Sequence, residues 1–520
     1  MDVRFRTVAL LWIGLGVLLR LAIVFGAENR LGSNESTVAV MALDVLEGKA
    51  FPFFYYGNTY NGGAALESWL GALAFAVGGP AAIPLKLTLL SLWTAAAGLF
   101  ANLLGRVESR ERAIIALGFF ALGTPFFLEW SLKARGGFAE TVLFSTALLY
   151  LAAPPGALRE RVRLQGALFG GIAAVAYWAS EMILALLPCI AIWLVLRHEG
   201  GPTRRRAAIS MLVGLVIGLL ALVVYNATHD WQNARESVLF ALLDGSGGGS
   251  TPLSPGELAL SARFVLGPTW PVLGFGIAVG AYRVLRTRET FSLGHVALLH
   301  LVLYLGAYVI TGQRFLPMPP SRVLYALYPS LAIVLAYALE VPPRSHIALR
   351  GLASFALLLW LVSMSGPVAH WIQSGVPRET GSWRGSFSLF DAAEVDRVLV
   401  EAGVRTAYAN MWTAESLRFA TRVRAHRDGS TPLSVTHALP KQSTADAGPV
   451  GIVLLAGNSD ARAVETFLRD RSIHHRRVQV GALDLFTAID ASEIYRRDGL
   501  PTRFAFGDLP PLPRDPDGFN

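Results

Sequence analysis

Charge is scarce in this chain. Of its 520 residues, 16% are Asp, Glu, Lys or Arg, where an ordinary soluble domain carries about 25%. The length would suit roughly three or four soluble domains, but so many separate surfaces need more charge than this to stay solvated. Cysteine is scarcer still. Cys189 is alone, so no internal disulfide forms, and its apolar surroundings fit a small buried side chain. Familiar catalytic signatures are missing: there is no GxxxxGK[ST], no HExxH, no paired CxxC and no GxSxG. No internal repeat is evident, and the composition fits neither collagen, a disordered chain nor a coiled coil. Apolar residues are abundant, at 53%. These features describe a polytopic membrane protein with room for a soluble part.

A spanning helix needs about 20 mostly apolar residues. The first such run is 7–26, without a small-residue cleavage site, so it reads as an uncleaved first helix. Further spans are expected near 82–104, 112–130, 138–153, 166–179, 181–197, 207–226, 263–281, 294–311, 322–340 and 350–371. With Arg4 and Arg6 in the cytoplasm, alternate loops carry Arg106, Arg110 and Arg112; Arg159, Arg161 and Arg163; Arg204, Arg205 and Arg206; Arg283, Arg286 and Arg288; and Arg344 and Arg350. Every loop assigned inside is Arg-rich, as positive-inside topology requires. The net charge of +8 therefore reports orientation and not a nucleic-acid partner. The apolar stretch 65–79 is short, and counting it would invert the later loops. It reads as an interfacial or re-entrant helix in a long first outer loop, 27–81. About eleven spans result, with the C-terminus outside.

Near 373 the long apolar runs stop. Segments 389–403 and 459–472 have helical spacing, 405–410 and 450–457 read as strands, and 480–489 reads as a strand pair. The fold class is thus a polytopic α-helical membrane protein, 1–372, with a small extracytoplasmic α/β domain, 373–520, ending in a Pro-rich tail. GSGGGS (245–250) is either a plain linker or a mobile lid.

Polar residues cluster on the outer side. The first outer loop holds Asn34, Glu35, Asp44, Glu47, Lys49, Tyr55, Tyr56, Tyr60 and Glu67. Its tyrosines suit either the headgroup level or a substrate. In the second outer loop, WSLKARGGFAE, Lys133 and Arg135 are phosphate ligands by type, and Gly136 and Gly137 allow close backbone approach. Glu140 opens a span, where a carboxylate needs a partner, Lys133 or Arg135 being nearest in sequence. Arg322, with Tyr325 and Tyr328, heads another span, either as an interfacial anchor or as a ligand. Arg20 lies inside the first span, to snorkel or to pair. Asn226-Ala227-Thr228 fits a glycosylation sequon, and the adjacent His474 and His475 carry little weight as metal ligands.

The set MALDVLEGKAFPFFYYGNTYNGGAALESWL, WSLKARGGFAET and SRVLYALYPSLAIVLA resembles the GT-C superfamily of membrane glycosyltransferases. The likeness is strongest to bacterial relatives of the protein O-mannosyltransferases and lipid A aminoarabinose transferases, glycosyltransferase family 39-like. It rests on the order of these segments and their shared side of the membrane. The resemblance implies an inverting transfer of a sugar from a polyprenyl-phosphate donor to a glycan, lipid or protein acceptor at the outer face of the inner membrane. Members typically carry Asp-Glu at the start of the first outer loop; here the pair is Asn34-Glu35. An amide cannot serve as a general base, which puts the role on Glu35, with Asp44 and Glu67 as alternatives. Lys133, Arg135 and Arg322 would hold the donor phosphate. Tyr56, Tyr60, Glu67, Glu140 and Tyr325 would line the substrate site. A divalent cation, magnesium or manganese, stays open, with Glu35 and Glu140 as oxygen ligands. Two other readings stand beside this one: a catalytically degenerate scaffold that binds a lipid-linked sugar, and a lipid or sugar transporter. Transporters favour repeats and mid-membrane polar sites, which this sequence lacks.

Overall fold

Glycine and proline decide where the apolar runs become continuous helices. A computed structural model of the chain describes residues 3–26, 31–56, 62–153, 161–198, 200–237, 253–287, 291–311, 321–340, 390–437, 448–457 and 459–493, with a few positions between 355 and 369. Tyr60, GSGGGS, Arg314, most of the span expected at 350–371 and the Pro-rich tail lie outside the described residues. The helices in chain order are α1 (Val3–Gly26), α2 (Ser33–Leu46), α3 (Gly62–Gly78), α4 (Ala82–Val107), α5 (Arg110–Leu122), α6 (Pro125–Trp130) and α7 (Ala139–Ala152). Then come α8 (Val162–Ala179), α9 (Leu186–Arg197), α10 (Gly201–Thr228), α11 (Gln232–Glu236), α12 (Pro255–Leu266), α13 (Trp270–Arg286), α14 (Leu293–Thr311) and α15 (Tyr328–Leu339). The last three are α16 (Ala392–Glu401), α17 (Met411–Asp428) and α18 (Ser459–Asp470).

Four described helices are long and apolar enough to cross a membrane: α1, α4, α10 and α14. The bent pair α12 and α13 would make a fifth. The expected span at 112–130 is interrupted. Gly123, at φ +66°, ends α5, and Pro125 opens α6 because the first turn needs no N–H from it. The run at 263–281 bends by 95° where Gly267 takes a positive φ before Pro268. The runs at 181–197 and 322–340 begin as short 3₁₀ segments, Glu181–Ile183 and Ser321–Leu327. The apolar stretch read as interfacial is α3, whose 17 residues fall short of a full span.

The chain divides into two compact units. One comprises Met1–Gly26, Pro52–Glu67 and Lys86–Ser374; the other comprises Ala27–Phe51, Ser68–Leu85 and Gly375–Asn520. Parts of the stretch 27–81 thus group with the C-terminal region.

In the first unit the helices approach through small residues. A Cβ on Gly170 of α8 would stand 1.9 Å from the Met211 carbonyl of α10, and one on Gly214 would stand 2.1 Å from the Ala167 carbonyl. The sequences GALFG (166–170) and GLVIG (214–218) are small-xxx-small faces, which allow close backbone packing in lipid. Aromatic rings fill a second contact: Tyr328 stacks on Phe127 at 4.0 Å and on Phe120 at 4.8 Å.

The second unit holds a five-stranded sheet of β1 (Thr406–Ala409), β2 (Ser434–Thr436), β3 (Pro449–Leu455), β4 (Arg476–Val480) and β5 (Leu483–Asp490). The order is β2-β1-β3-β5-β4; β1 runs parallel to β2 and β3, while β5 is antiparallel to β3 and β4. Side chains alternate across β3. Val450, Ile452 and Leu454 pack with Val464, Leu468 and Phe486 on one face, and Val453 packs with Leu399 and Leu485 on the other. The sheet is therefore covered on both sides, as a parallel core requires. The expected strand pair exists but is displaced: 483–490 is one strand, and its partner is 476–480. Neither α17 nor β2 is among the sequence expectations. Helix α17 is largely polar, which hides its apolar face from a pattern reading.

Candidate functional site

In the first unit the loop from Ser131 to Phe138 is buried throughout, although it carries two cations. Lys133 forms an ion pair with Glu129, one helical turn earlier, and its ammonium lies 5.1 Å from the Trp130 ring centre. The Arg135 guanidinium stands 5.2 Å from the same ring. Trp130 is thus a shared aromatic platform for both cations. Glu140 was expected to pair with Lys133 or Arg135; Lys133 pairs instead with Glu129, and the i,i+4 spacing Glu129-Lys133 is the signal that could have shown it.

Gly136 and Gly137 adopt φ of +71° and +84°, which only glycine takes without strain. They also admit the start of α3: a Cβ on Gly136 would stand 2.4 Å from the Ala64 nitrogen, and one on Gly63 would stand 2.2 Å from the Gly137 nitrogen. The consecutive amides turn to two carboxylates. The Gly136 N–H donates to Glu67 Oε2 at 2.8 Å, and the Gly137 N–H donates to Glu140 Oε2 at 3.0 Å. Both carboxylates are fully buried and stand side by side. A buried carboxylate needs such donors. The structure therefore brings Lys133, Arg135, Glu67 and Glu140 to one loop.

Arg20 anchors the start of this loop. Its Nε donates to Ser131 Oγ at 2.9 Å, and its Nη1 donates to the carbonyls of Ala121 at 2.8 Å and Gly16 at 3.1 Å. The guanidinium lies 3.6 Å from the Trp93 ring centre. It does not snorkel, and among the described residues it meets no carboxylate; Ser131, two backbone carbonyls and the indole face hold it. Tyr325 is buried among Phe126, Phe127, Phe138 and Tyr328. The side chain of Arg322 lies outside the described residues. Tyr56 is partly exposed. Asn226 is buried within α10 and donates to Asn233, so it does not present itself as a glycosylation site.

In the second unit Glu35 occupies the first turn of α2. Its Oε2 accepts the Gly32 N–H at 3.0 Å, which closes the helix start. A carboxylate there also suits the positive end of the helix dipole. Asn34 precedes it in the same turn and is half-buried. At the other end of α2, Asp44 and Glu47 pair with Arg422 of α17. Burial alone would raise the Glu47 carboxyl and lower the Arg422 guanidinium. The bond to Lys49 and the charge of Arg422 instead hold Glu47 below the usual carboxylate range, and Asp44 and Glu47 raise Arg422. Among the described residues no three His, Cys, Asp or Glu side chains gather closely enough to hold a metal ion.

The fold that holds these residues is shared with solved structures of GT-C glycosyltransferases, and four of the described helices are long and apolar enough to cross a membrane. Individually, the chain is similar to ArnT from Cupriavidus metallidurans. The apo crystal structure superposes with a TM-score of 0.58 at 12% identity, covering 94% of this chain and 99% of that one. The ArnT structure bound to undecaprenyl phosphate gives 0.59 at 11% identity, covering 92% and 98%. The mycobacterial arabinofuranosyltransferase AftD gives 0.52 at 16% identity over 92% of this chain, which spans 40% of AftD. No family model matches the chain, and no curated protein matches it by sequence.

Proposed function

We propose that this protein is a glycosyltransferase that moves a sugar from a polyprenyl-phosphate donor to an envelope glycan, lipid or protein acceptor, with inversion. The supporting observation is the fold shared, nearly end to end, with ArnT in its undecaprenyl-phosphate-bound form. The chemistry asks for a base and for cations. An acceptor hydroxyl attacks the anomeric carbon while the carbon–oxygen bond to the phosphate breaks. Glu35 takes the hydroxyl proton. Arg135, Lys133 and Arg322 stabilise the charge that collects on the departing polyprenyl phosphate. Lys133 is paired with Glu129 in the resting structure. Glu67, Glu140, Tyr56, Tyr60 and Tyr325 shape the sugar site. The described carboxylates do not offer a three-ligand metal set, so no step is assigned to a divalent cation. The proposed orientation has the N-terminus inside and the C-terminal domain outside the inner membrane; the arginine-rich alternate loops support that sidedness.

One observation favours a second reading. Asn34 stands where the family carries an acid, and the Glu35 carboxylate already closes a helix turn. A scaffold that binds the lipid-linked sugar without transferring it would have these features. Protein in proteoliposomes, given a panel of radiolabelled undecaprenyl-phosphate sugars and an envelope extract, separates the two. Label moving into the extract supports the enzyme. Donor retained without transfer supports the scaffold.

A further inference from the structure

Helices α2 and α17 lie side by side and run parallel. Near their starts, Thr37 Oγ1 donates to Glu415 Oε2 at 3.3 Å, Ser36 Oγ donates to Ser416 Oγ at 3.3 Å, and Ser416 Oγ donates to the Leu31 carbonyl at 3.4 Å. Further along, Arg422 pairs with Asp44 and Glu47, and His426 Nδ1 lies 3.3 Å from Glu47 Oε1. From Thr37 to Asp44 and from Glu415 to Arg422 the chain advances equally, by about two helical turns. The contacts therefore fix one register along the whole length of α2.

Charge explains why the far contact matters. Asp44 and Glu47 crowd the C-terminal end of α2, which is the negative end of its dipole, so carboxylates are unfavourable there. Parallel neighbours add a second negative end beside the first. Arg422 bridges the two carboxylates, pairing with Asp44 through one guanidinium nitrogen and with Glu47 through another. Without it, the tail of α2 loses the ion pairs that tie it to α17. A slip of one residue translates a helix by about 1.5 Å and turns it by about 100°. Either movement carries Glu35, at the head of the same helix, out of place.

We infer that Arg422 is a positioning residue: the C-terminal domain uses it to hold α2 in register so that Glu35 is presented correctly. This rests on the reading of Glu35 as the base. It assigns the C-terminal domain a part in catalysis and not merely a capping role.

The test compares Arg422→Met, Arg422→Lys, Glu35→Gln and the exposed-pair control Arg397→Gln, in full-length protein. Turnover is measured with whichever undecaprenyl-phosphate sugar of the panel the wild type uses, and amide hydrogen exchange follows α2. Arg422→Met should lower kcat by about 10- to 100-fold with donor KM within about twofold, and should speed exchange as far as residues 33–37. Arg422→Lys should restore most of both, and Arg397→Gln should change neither. Wild-type kcat in Arg422→Met, or faster exchange confined to residues 44–47, overturns the inference. If Arg422→Met does not fold, Asp44→Asn with Glu47→Gln removes the same lock from the other side and is read in the same way. Glu35→Gln that keeps full turnover sinks the catalytic reading alone, since exchange still reports whether Arg422 holds the head of α2.

Discussion

Lys133 and Glu129 neutralise each other in a buried setting, so removing either breaks a buried ion pair. Truncating one partner of a buried ion pair typically costs about 3–5 kcal/mol, whereas replacing both with apolar residues of similar volume is close to neutral. Lys133→Met should therefore lower the melting temperature in detergent, and Lys133→Met with Glu129→Leu should recover most of the loss. Glu47 gives a pH-dependent counterpart. Its carboxyl is held below the ordinary range in the folded protein by Lys49 and Arg422, against the opposing effect of burial. The stability it contributes is present above the unfolded carboxylate pKa, and it disappears as pH falls through the lower folded value. Melting curves taken from about pH 6 down to about pH 3 should fall less steeply for Glu47→Gln than for the wild type. Equal slopes would show that the pair contributes nothing to acid sensitivity.

Among the elements, α8 and α10 make the closest backbone approach described above. A side chain at Gly170 meets a carbonyl, which cannot rotate away as a flexible side-chain end would. Gly170→Leu should therefore part the two helices and destabilise the protein by at least about 1–3 kcal/mol, measurable as a lower midpoint of thermal aggregation in detergent. Gly171→Leu, where a Cβ would meet nothing closer than 3.8 Å, should be tolerated. The sequence carried both small-residue faces in plain view, but their meaning depends on the two helices being neighbours. Strand β3 was legible because an unbroken apolar run bounded by Gly448 and Gly457 has few alternatives. Helix α17 was not, because Arg418, Arg422 and Arg424 reach carboxylates supplied by α2, α16 and α17 itself, and such pairs leave no apolar stripe in the sequence.

For the whole molecule, the apolar content and the arginine-rich loops showed a multi-pass protein, and the segment order pointed to the GT-C fold that the solved structures bear out. The same sequence named Lys133, Arg135, Glu67 and Glu140, which the fold brings to one loop. It carried the i,i+4 spacing of Glu129 and Lys133, but it could not show that Arg422 claims Asp44 and Glu47, because only the fold brings residues so far apart in the chain together. Orientation has a direct consequence. A single cysteine placed at Arg205, in a Cys189→Ala background, should react with a membrane-impermeant thiol reagent only after the cytoplasmic side is opened. One placed at Ser430 should react from outside in intact cells. The reverse pattern would invert the topology.

The central claim is that a polyprenyl-phosphate sugar is consumed here. Its most direct measurement is the release of undecaprenyl phosphate, followed by mass spectrometry, from proteoliposomes supplied with the donor panel and an envelope extract. The wild type should release the lipid phosphate in step with labelled acceptor of inverted anomeric configuration. Glu35→Gln, whose side-chain carbonyl can still accept the Gly32 N–H and keep the helix start closed, should fold normally and release none. Donor bound by the wild type with no lipid phosphate released, across the whole panel, would contradict the account.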